Sequence, residues 1–208
     1  MNAMRKPRVG ILGGTFNPLH IGHLILAQSA LESFELSSVL FIPCATPAHK
    51  SSRALLPGKH RLAMVERAIG WNPFFESSDM ELQRPGVSYA VDTVAALTRQ
   101  RPQASFFFII GADTLRELHK WHNIYDLLAL CRFITFARPG NGLDTIKPAD
   151  LKLDPPWPER LLKDVMVGRH LEISSSDIRY RIAEGLSIRY LVPPEVEMYI
   201  AEHRLYRR

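Results

Sequence analysis

The stretch from Val9 to Ala27 constrains what this chain can fold into more than any other. Val9–Leu12 is an apolar run of the length of one buried strand, Gly13 and Gly14 permit a tight turn, and Leu24-Ile25-Leu26-Ala27 begins an apolar helix. Between them stand Thr15-Phe16-Asn17-Pro18-Leu19-His20-Ile21-Gly22-His23. A strand, a glycine turn and a helix start bring free amide N–H groups, the positive end of a helix dipole and two imidazoles to one place. That combination suits an anion, and a phosphoryl group above all.

The alternation recurs down the chain. The spacing predicts a helix near Gly22–Phe34, a strand at Val39–Pro43, a helix over Gly58–Ile69 with Leu62, Val65 and Ile69 on one face, and a weaker strand at Phe74–Ser77. Ser88 reads as the N-cap of a helix over Tyr89–Gln100, and Ser105–Ile110 as a central parallel strand, apolar throughout. Arg132–Ala137 is a further strand, followed by a turn from Arg138 to Gly142. The proline-rich Asp144–Glu159 has no clean period and reads as a surface excursion; Val165–Val167 is a last short strand. Ser175 or Ser176 caps a helix through Ala183 that Gly185 stops, and Pro193-Pro194 start a terminal helix to about His203. Repeated βα units imply an α/β chain with a Rossmann-like, doubly wound, mostly parallel sheet: one domain over 1–208 whose C-terminal helical part covers about 174–208. Ligands of such sheets bind beyond the carboxyl ends of the strands. The candidate polar groups fall on those turns: Gly13–His23, Ala45–Lys50, Gly111-Ala112-Asp113, Arg138 and Ile173–Arg179.

Composition narrows the classes. With 208 residues, 46% apolar, the chain can bury a sizeable core in one domain. The net charge of +5 is a mild bias that steers small phosphorylated molecules; it lacks the long basic block or aromatic interleaving that would point to nucleic acid. Cys44 and Cys131 form no CxxC and suggest reduced thiols in a cytoplasmic compartment. No apolar run follows Met1–Arg8 at signal-peptide length and no 18-residue apolar segment occurs, so neither export nor a membrane is expected.

Taken together, these residues resemble the nucleotidyltransferases with a His-x-Gly-His signature and, within them, the bacterial nicotinate mononucleotide adenylyltransferases. The likeness covers Gly13–His23, Pro47–Lys50, Arg84–Thr93, Ile110–Leu115, Leu118–His122, Arg138–Gly140 and Ile173–Arg179. The signature alone points only to the superfamily, which includes phosphopantetheine and glycerol-phosphate enzymes. The Ser88-Tyr89-x-x-Asp92-Thr93 and Gly111-to-Trp121 segments select the pyridine-nucleotide branch.

The resemblance implies attack of the 5'-phosphate of nicotinate mononucleotide on the α-phosphorus of ATP, giving the dinucleotide and pyrophosphate. By similarity, His20 and His23 contact the ATP phosphates, with His23 stabilising the transition state, while Thr15 and the Gly14 amide help orient phosphates and Gly13 and Phe16 belong to the ATP site. Ile173, Ser174, Ser175 and Arg179 resemble the clamp for departing pyrophosphate, Lys50 a loop lysine over the reacting phosphates, and Gly111 with Asp113 the ribose end. Lys50, Ser88, Tyr89, Ala90, Trp121 and Arg138 fall on the mononucleotide side, with Trp121 stacking on the pyridine ring. Magnesium is expected to arrive with the triphosphate, not in a protein cage. The partners implied are ATP and nicotinate mononucleotide, with a homo-oligomer left open.

Other readings stay open beside these. His119 and His122 repeat the HxxH spacing and raise zinc with His20 and His23, although no Glu or Cys ligand stands at the usual spacing. Without the family, Trp121 and Tyr89 read as packing residues and Ser174–Ser176 as a cap. Asn17, Ala48 and Ala90 depart from the family's usual aspartate, proline and threonine. An acceptor such as nicotinamide mononucleotide or a phosphopantetheine compound, and a nucleotide-binding regulatory module without turnover, are the competing functions.

Overall fold

The computed structural model describes residues 6–47, 55–137, 146–167 and 172–207. In chain order the first half gives β1 (Arg8–Gly14), α1 (Ile21–Ser33), β2 (Ser38–Pro43), β3 (Thr46–Pro47), α2 (Gly58–Ile69), β4 (Phe75–Ser77), β5 (Val87–Ser88) and α3 (Ala90–Gln100). The second half gives β6 (Ser105–Gly111), α4 (Ala112–Glu117), α5 (Ile124–Leu130), β7 (Arg132–Ala137), α6 (Trp157–Lys163), β8 (Val165–Val167), α7 (Ser175–Ala183) and α8 (Pro194–Glu202).

Six strands form one sheet in the order β4-β2-β1-β6-β7-β8. The β1–β6, β6–β7 and β7–β8 ladders are parallel, with Val9 opposite Phe106 and Phe108 opposite Phe133. This is the Rossmann-like α/β fold that the sequence implies. Phe106–Ile110 are all buried, which is why β6 is apolar without alternation: helices cover a parallel sheet on both faces. The strand order reverses at β1, the kind of position from which open α/β sheets bind ligands; Gly13 and Gly14 are the last residues of that strand and not the tight turn expected of them, so the loop leaving its carboxyl end starts at Thr15. β3 and β5 make a separate parallel pair. No helix among the described residues is long and apolar enough to cross a membrane.

By its contacts the chain divides into two compact units: 1–12, 26–40 and 89–170 in the first, 13–25, 41–88 and 171–208 in the second. The first has a core of sheet and helix residues including Ile11, Ile109, Leu115, Leu127 and Ile134, and it holds the buried Cys131. Burial pushes the Cys131 thiol up to about 12, and its Sγ donates to the Leu127 carbonyl. The second is built around Met64, Ile178, Ile188, Val192, Val196 and Ile200. There Gly185 follows the end of α7 with φ +70°, a conformation glycine adopts without Cβ strain, as expected of a helix stop.

Several expectations are corrected. Ser88 does not cap α3: Tyr89 occupies the N-cap, and the Ser88 hydroxyl instead accepts from the Ala45 N–H at 3.0 Å. The buried face of α2 is Arg61, Met64, Val65 and Ile69, while Leu62 is only half-buried. Within 144–159, Pro148–Leu151 forms a 3-10 turn and α6 begins at Trp157; Leu151 is fully buried, so this is no mere surface excursion.

Candidate active site

In the second unit, the loop between β1 and α1 is fixed at almost every residue. Phe16 has a left-handed φ of 45°, a conformation that costs a non-glycine residue about 1–3 kcal/mol. Its ring is buried edge-on to His23, with centroids 5.1 Å apart, and beside Phe41 at 6.0 Å, so packing maintains the strained backbone. The Asn17 Oδ1 accepts from the Leu56 N–H at 3.3 Å and from the Tyr206 hydroxyl at 2.9 Å. Arg179 Nη1 donates to the Asn17 carbonyl at 2.8 Å, and the Ser175 hydroxyl to the Pro18 carbonyl at 2.9 Å.

The two histidines form a stacked pair, ring centroids 3.7 Å apart and planes 30° from parallel. The His20 N–H donates to His23 Nδ1 at 3.2 Å, so neutral His23 carries its proton on Nε2. His20 is 7% exposed, and burial pushes its pKa down to about 4, which keeps it neutral at pH 7. Its Nδ1 is buried with no hydrogen-bond partner among the described residues. A Cβ at position 22 would stand 3.0 Å from that nitrogen and 3.1 Å from Cε1. A side chain at position 22 would therefore crowd the His20 ring, which would have to give by a few tenths of an ångström.

The start of α1 offers fewer free donors than the sequence suggests. The Ile21 N–H donates to the Leu191 carbonyl at 3.0 Å and the His23 N–H to the His20 carbonyl at 2.9 Å. The available main-chain donors lie earlier: among the described residues nothing accepts from the N–H of Thr15 or Phe16. At α7 the cap is Ser174, whose Oγ accepts from the Asp177 N–H at 3.1 Å, and not Ser175 or Ser176. Arg179 Nη2 also donates to Ser176 Oγ at 3.2 Å, and Ile173 packs against the unit's core.

One residue of this region was not singled out by the sequence. Arg61 on α2 is 1% exposed. Its Nε donates to the Leu56 carbonyl and its Nη1 to the Thr15 carbonyl, both at 2.9 Å, with a longer contact of 3.5 Å from Nη2 to the Ala45 carbonyl. The half-buried Cys44 thiol and the Tyr206 hydroxyl are its other polar neighbours. The legible signal was its position, four before Val65 and eight before Ile69, which puts a cation on the buried stripe of a helix.

The first unit holds the remaining described candidates. Gly111 is the N-cap of α4, and Asp113 is exposed in that helix's first turn. Tyr89 stacks on His122 with centroids 4.2 Å apart, and Ala90 opens α3. Trp121 is half-buried, edge-on to Phe108 at 5.7 Å and to Phe133 at 6.3 Å. Lys50 and Arg138 lie outside the described residues. No group of three His, Cys, Asp or Glu side chains able to hold a metal occurs among the described residues.

The cytidylyltransferase-like family model matches residues 11–181. A Desulfitobacterium hafniense protein named "Probable nicotinate-nucleotide adenylyltransferase" is 45% identical over the whole of both chains. The chain belongs to this adenylyltransferase family. A relative of the same name from Halalkalibacterium halodurans is 43% identical, covering 96% of this chain and 91% of its own. Membership makes the chain a nucleotidyltransferase. Among solved structures, the Plasmodium falciparum nicotinic acid mononucleotide adenylyltransferase complexed with NaAD shares the fold, with a TM-score of 0.75 and 20% identity over 96% of this chain and 97% of that one.

Proposed function

We propose that this chain, acting as one domain over 1–208, transfers the adenylyl group of ATP to nicotinate mononucleotide, as the names of its relatives describe, and so serves NAD biosynthesis. The observation that carries the reading is the first loop, where a stacked histidine pair with His20 neutral, two amides without an acceptor among the described residues, and the Ser175 and Arg179 side chains converge.

A phosphate monoester has its second pKa near 6, so the attacking phosphate is already ionised at neutral pH and needs no strong base. The protein's task is alignment and charge stabilisation. His23 Nε2–H and the neutral His20 imidazole are suited to the triphosphate, joined by the amides of Thr15 and Phe16. Since the Phe16 ring is buried, its part is confined to the main chain. Gly13 and Gly14 allow close approach, and Ile173, Ser174, Ser175 and Arg179 hold the departing pyrophosphate. Gly111 and Asp113 meet the adenosine ribose; Lys50, Ser88, Tyr89, Ala90, Trp121 and Arg138 meet the mononucleotide. Magnesium enters as part of the ATP substrate, held through the triphosphate oxygens. The free thiols of Cys44 and Cys131 support a reducing, cytoplasmic location.

The test is pyrophosphate release with magnesium–ATP and each acceptor in turn. Nicotinate mononucleotide is expected to be turned over about tenfold or more faster than nicotinamide mononucleotide or 4'-phosphopantetheine, the discrimination a site gains by hydrogen-bonding one substrate group. ATP binding without release under any acceptor overturns enzymatic function, and preference for another acceptor overturns the substrate.

A further inference from the structure

We propose that Arg61 is the positioning residue of the triphosphate loop, holding its main-chain donors from behind without touching a reacting atom. The inference rests on the adenylyl-transfer reading and names the group that keeps the phosphate-binding backbone in place.

Arg61 is buried to 1% exposure with no carboxylate partner among the described residues. Burying an unpaired charge is costly, and replacing buried ionic groups by apolar side chains of similar volume is often neutral for stability or better. A guanidinium at this point therefore needs another reason. Its donors reach three separate segments at once: Thr15 in the first loop, Ala45 after β2 and Leu56 ahead of α2. Each segment is tied again beside the arginine. The Leu56 N–H donates to Asn17 Oδ1 at 3.3 Å, the Ala45 N–H to Ser88 Oγ at 3.0 Å, and the Cys44 N–H to the Gly14 carbonyl at 2.9 Å. A planar fork with fixed donor directions sets the spacing of three carbonyls in a way that a lysine ammonium, a point donor on a flexible stem, does not.

The bond to Thr15 has a directional consequence. The Thr15–Phe16 peptide is trans, so its carbonyl and its N–H point opposite ways. With the carbonyl turned in to Arg61, the Phe16 N–H faces away from it, and that N–H has no acceptor among the described residues. Phe16 itself sits at φ 45°, a conformation that lasts only where the surroundings over-determine it. Arg61 thus turns a strained peptide into an aimed donor. Its charge, one peptide plane behind the loop and without a carboxylate partner among the described residues, also favours an anion in front of it.

The experiment uses the full chain with Arg61→Met, which keeps an unbranched apolar stem without the guanidinium, and Arg61→Lys, which keeps the charge. Pyrophosphate release is measured against ATP and against nicotinate mononucleotide, and melting is followed in parallel. Arg61→Met is expected to melt within about 5 °C of the parent, because removal of the buried charge offsets the donor that three carbonyls lose. Its kcat/KM for ATP falls about 100-fold, the size of effect that a small misplacement of reacting groups produces, while KM for the mononucleotide changes less than about twofold. Arg61→Lys recovers no more than about a tenth of the parental value. Retention of kcat/KM for ATP within about threefold overturns the proposal, as does an equal decline on both substrates that tracks the fraction unfolded. If Arg61→Met fails to fold, Arg61→Lys decides alone: a loss of about tenfold or more on ATP with an unchanged mononucleotide KM sustains the assignment, and parental kinetics overturn it. If the parent itself releases no pyrophosphate, the adenylyl-transfer reading has failed. Arg61 is then judged by equilibrium ATP binding, where an affinity loss of about tenfold in Arg61→Met sustains the brace and equal affinity overturns it.

Discussion

The two compact units hold their candidate residues in different ways. In the second, bonds to main-chain atoms do the holding: Asn17, Pro18 and Thr15 each offer a carbonyl to a side chain from another part of that unit, and His20 uses its own amide to orient His23. In the first, rings do it: Tyr89 lies on His122, and Trp121 lies edge-on to Phe108 and Phe133. Bonds to backbone fix positions to a fraction of an ångström, whereas a ring contact tolerates sliding. Chemistry that depends on in-line geometry belongs with the first kind of support, and recognition of a flat heterocycle can rest on the second.

The contrast is broken most directly at His23. His23→Ala is expected to lower kcat about 10²–10³-fold, on the order of 3–4 kcal/mol, with little change in KM for ATP, since its donor acts mainly as charge develops. Equal losses in kcat and ATP affinity would move His23 into ordinary ground-state binding.

Acid sharpens it next. The unfolded chain protonates His20 near pH 6.5 and the folded chain only near pH 4, so the unfolded state binds the extra proton between these values and stability is lost as pH falls through them. At pH 5 the loss from this residue is about 2 kcal/mol. Urea unfolding at pH 7 and pH 5 is expected to show that much less acid destabilisation in His20→Gln than in the parent. Identical slopes would mean that water reaches the ring.

The smallest effect is expected at Trp121. Trp121→Ala should raise KM for the mononucleotide about tenfold and cost on the order of 1–2 kcal/mol of stability through lost ring contacts. Unchanged acceptor dependence with the same stability loss would assign Trp121 to packing alone.

The sheet and most helices were legible because strand runs such as Ser105–Ile110 and caps such as Pro193-Pro194 carry their signal locally. The histidine pair was legible for the same reason, its glycine and both rings lying within four residues. What escaped depends on partners distant in sequence. Ser88 has the chemistry of a cap, yet its hydroxyl answers an amide 43 residues away. Ser174–Ser176 are indistinguishable by type, and only packing decides that the first caps while the second reaches Pro18, 157 residues back. Arg61 looks like a surface cation until its three carbonyls are placed around it, and the Leu191 carbonyl that occupies the first amide of α1 has no local trace at all. Short elements such as α4 and α5 carry too few turns for a period to emerge.

The unequal burial of the two sulfurs has a practical use. Cys131 is enclosed, with its thiol held in the protonated form, while Cys44 is only half-buried, beside the Arg61 guanidinium. A maleimide fluorophore should therefore label one site in the unaltered sequence, giving an optical reporter a single peptide bond from a carbonyl that Arg61 contacts.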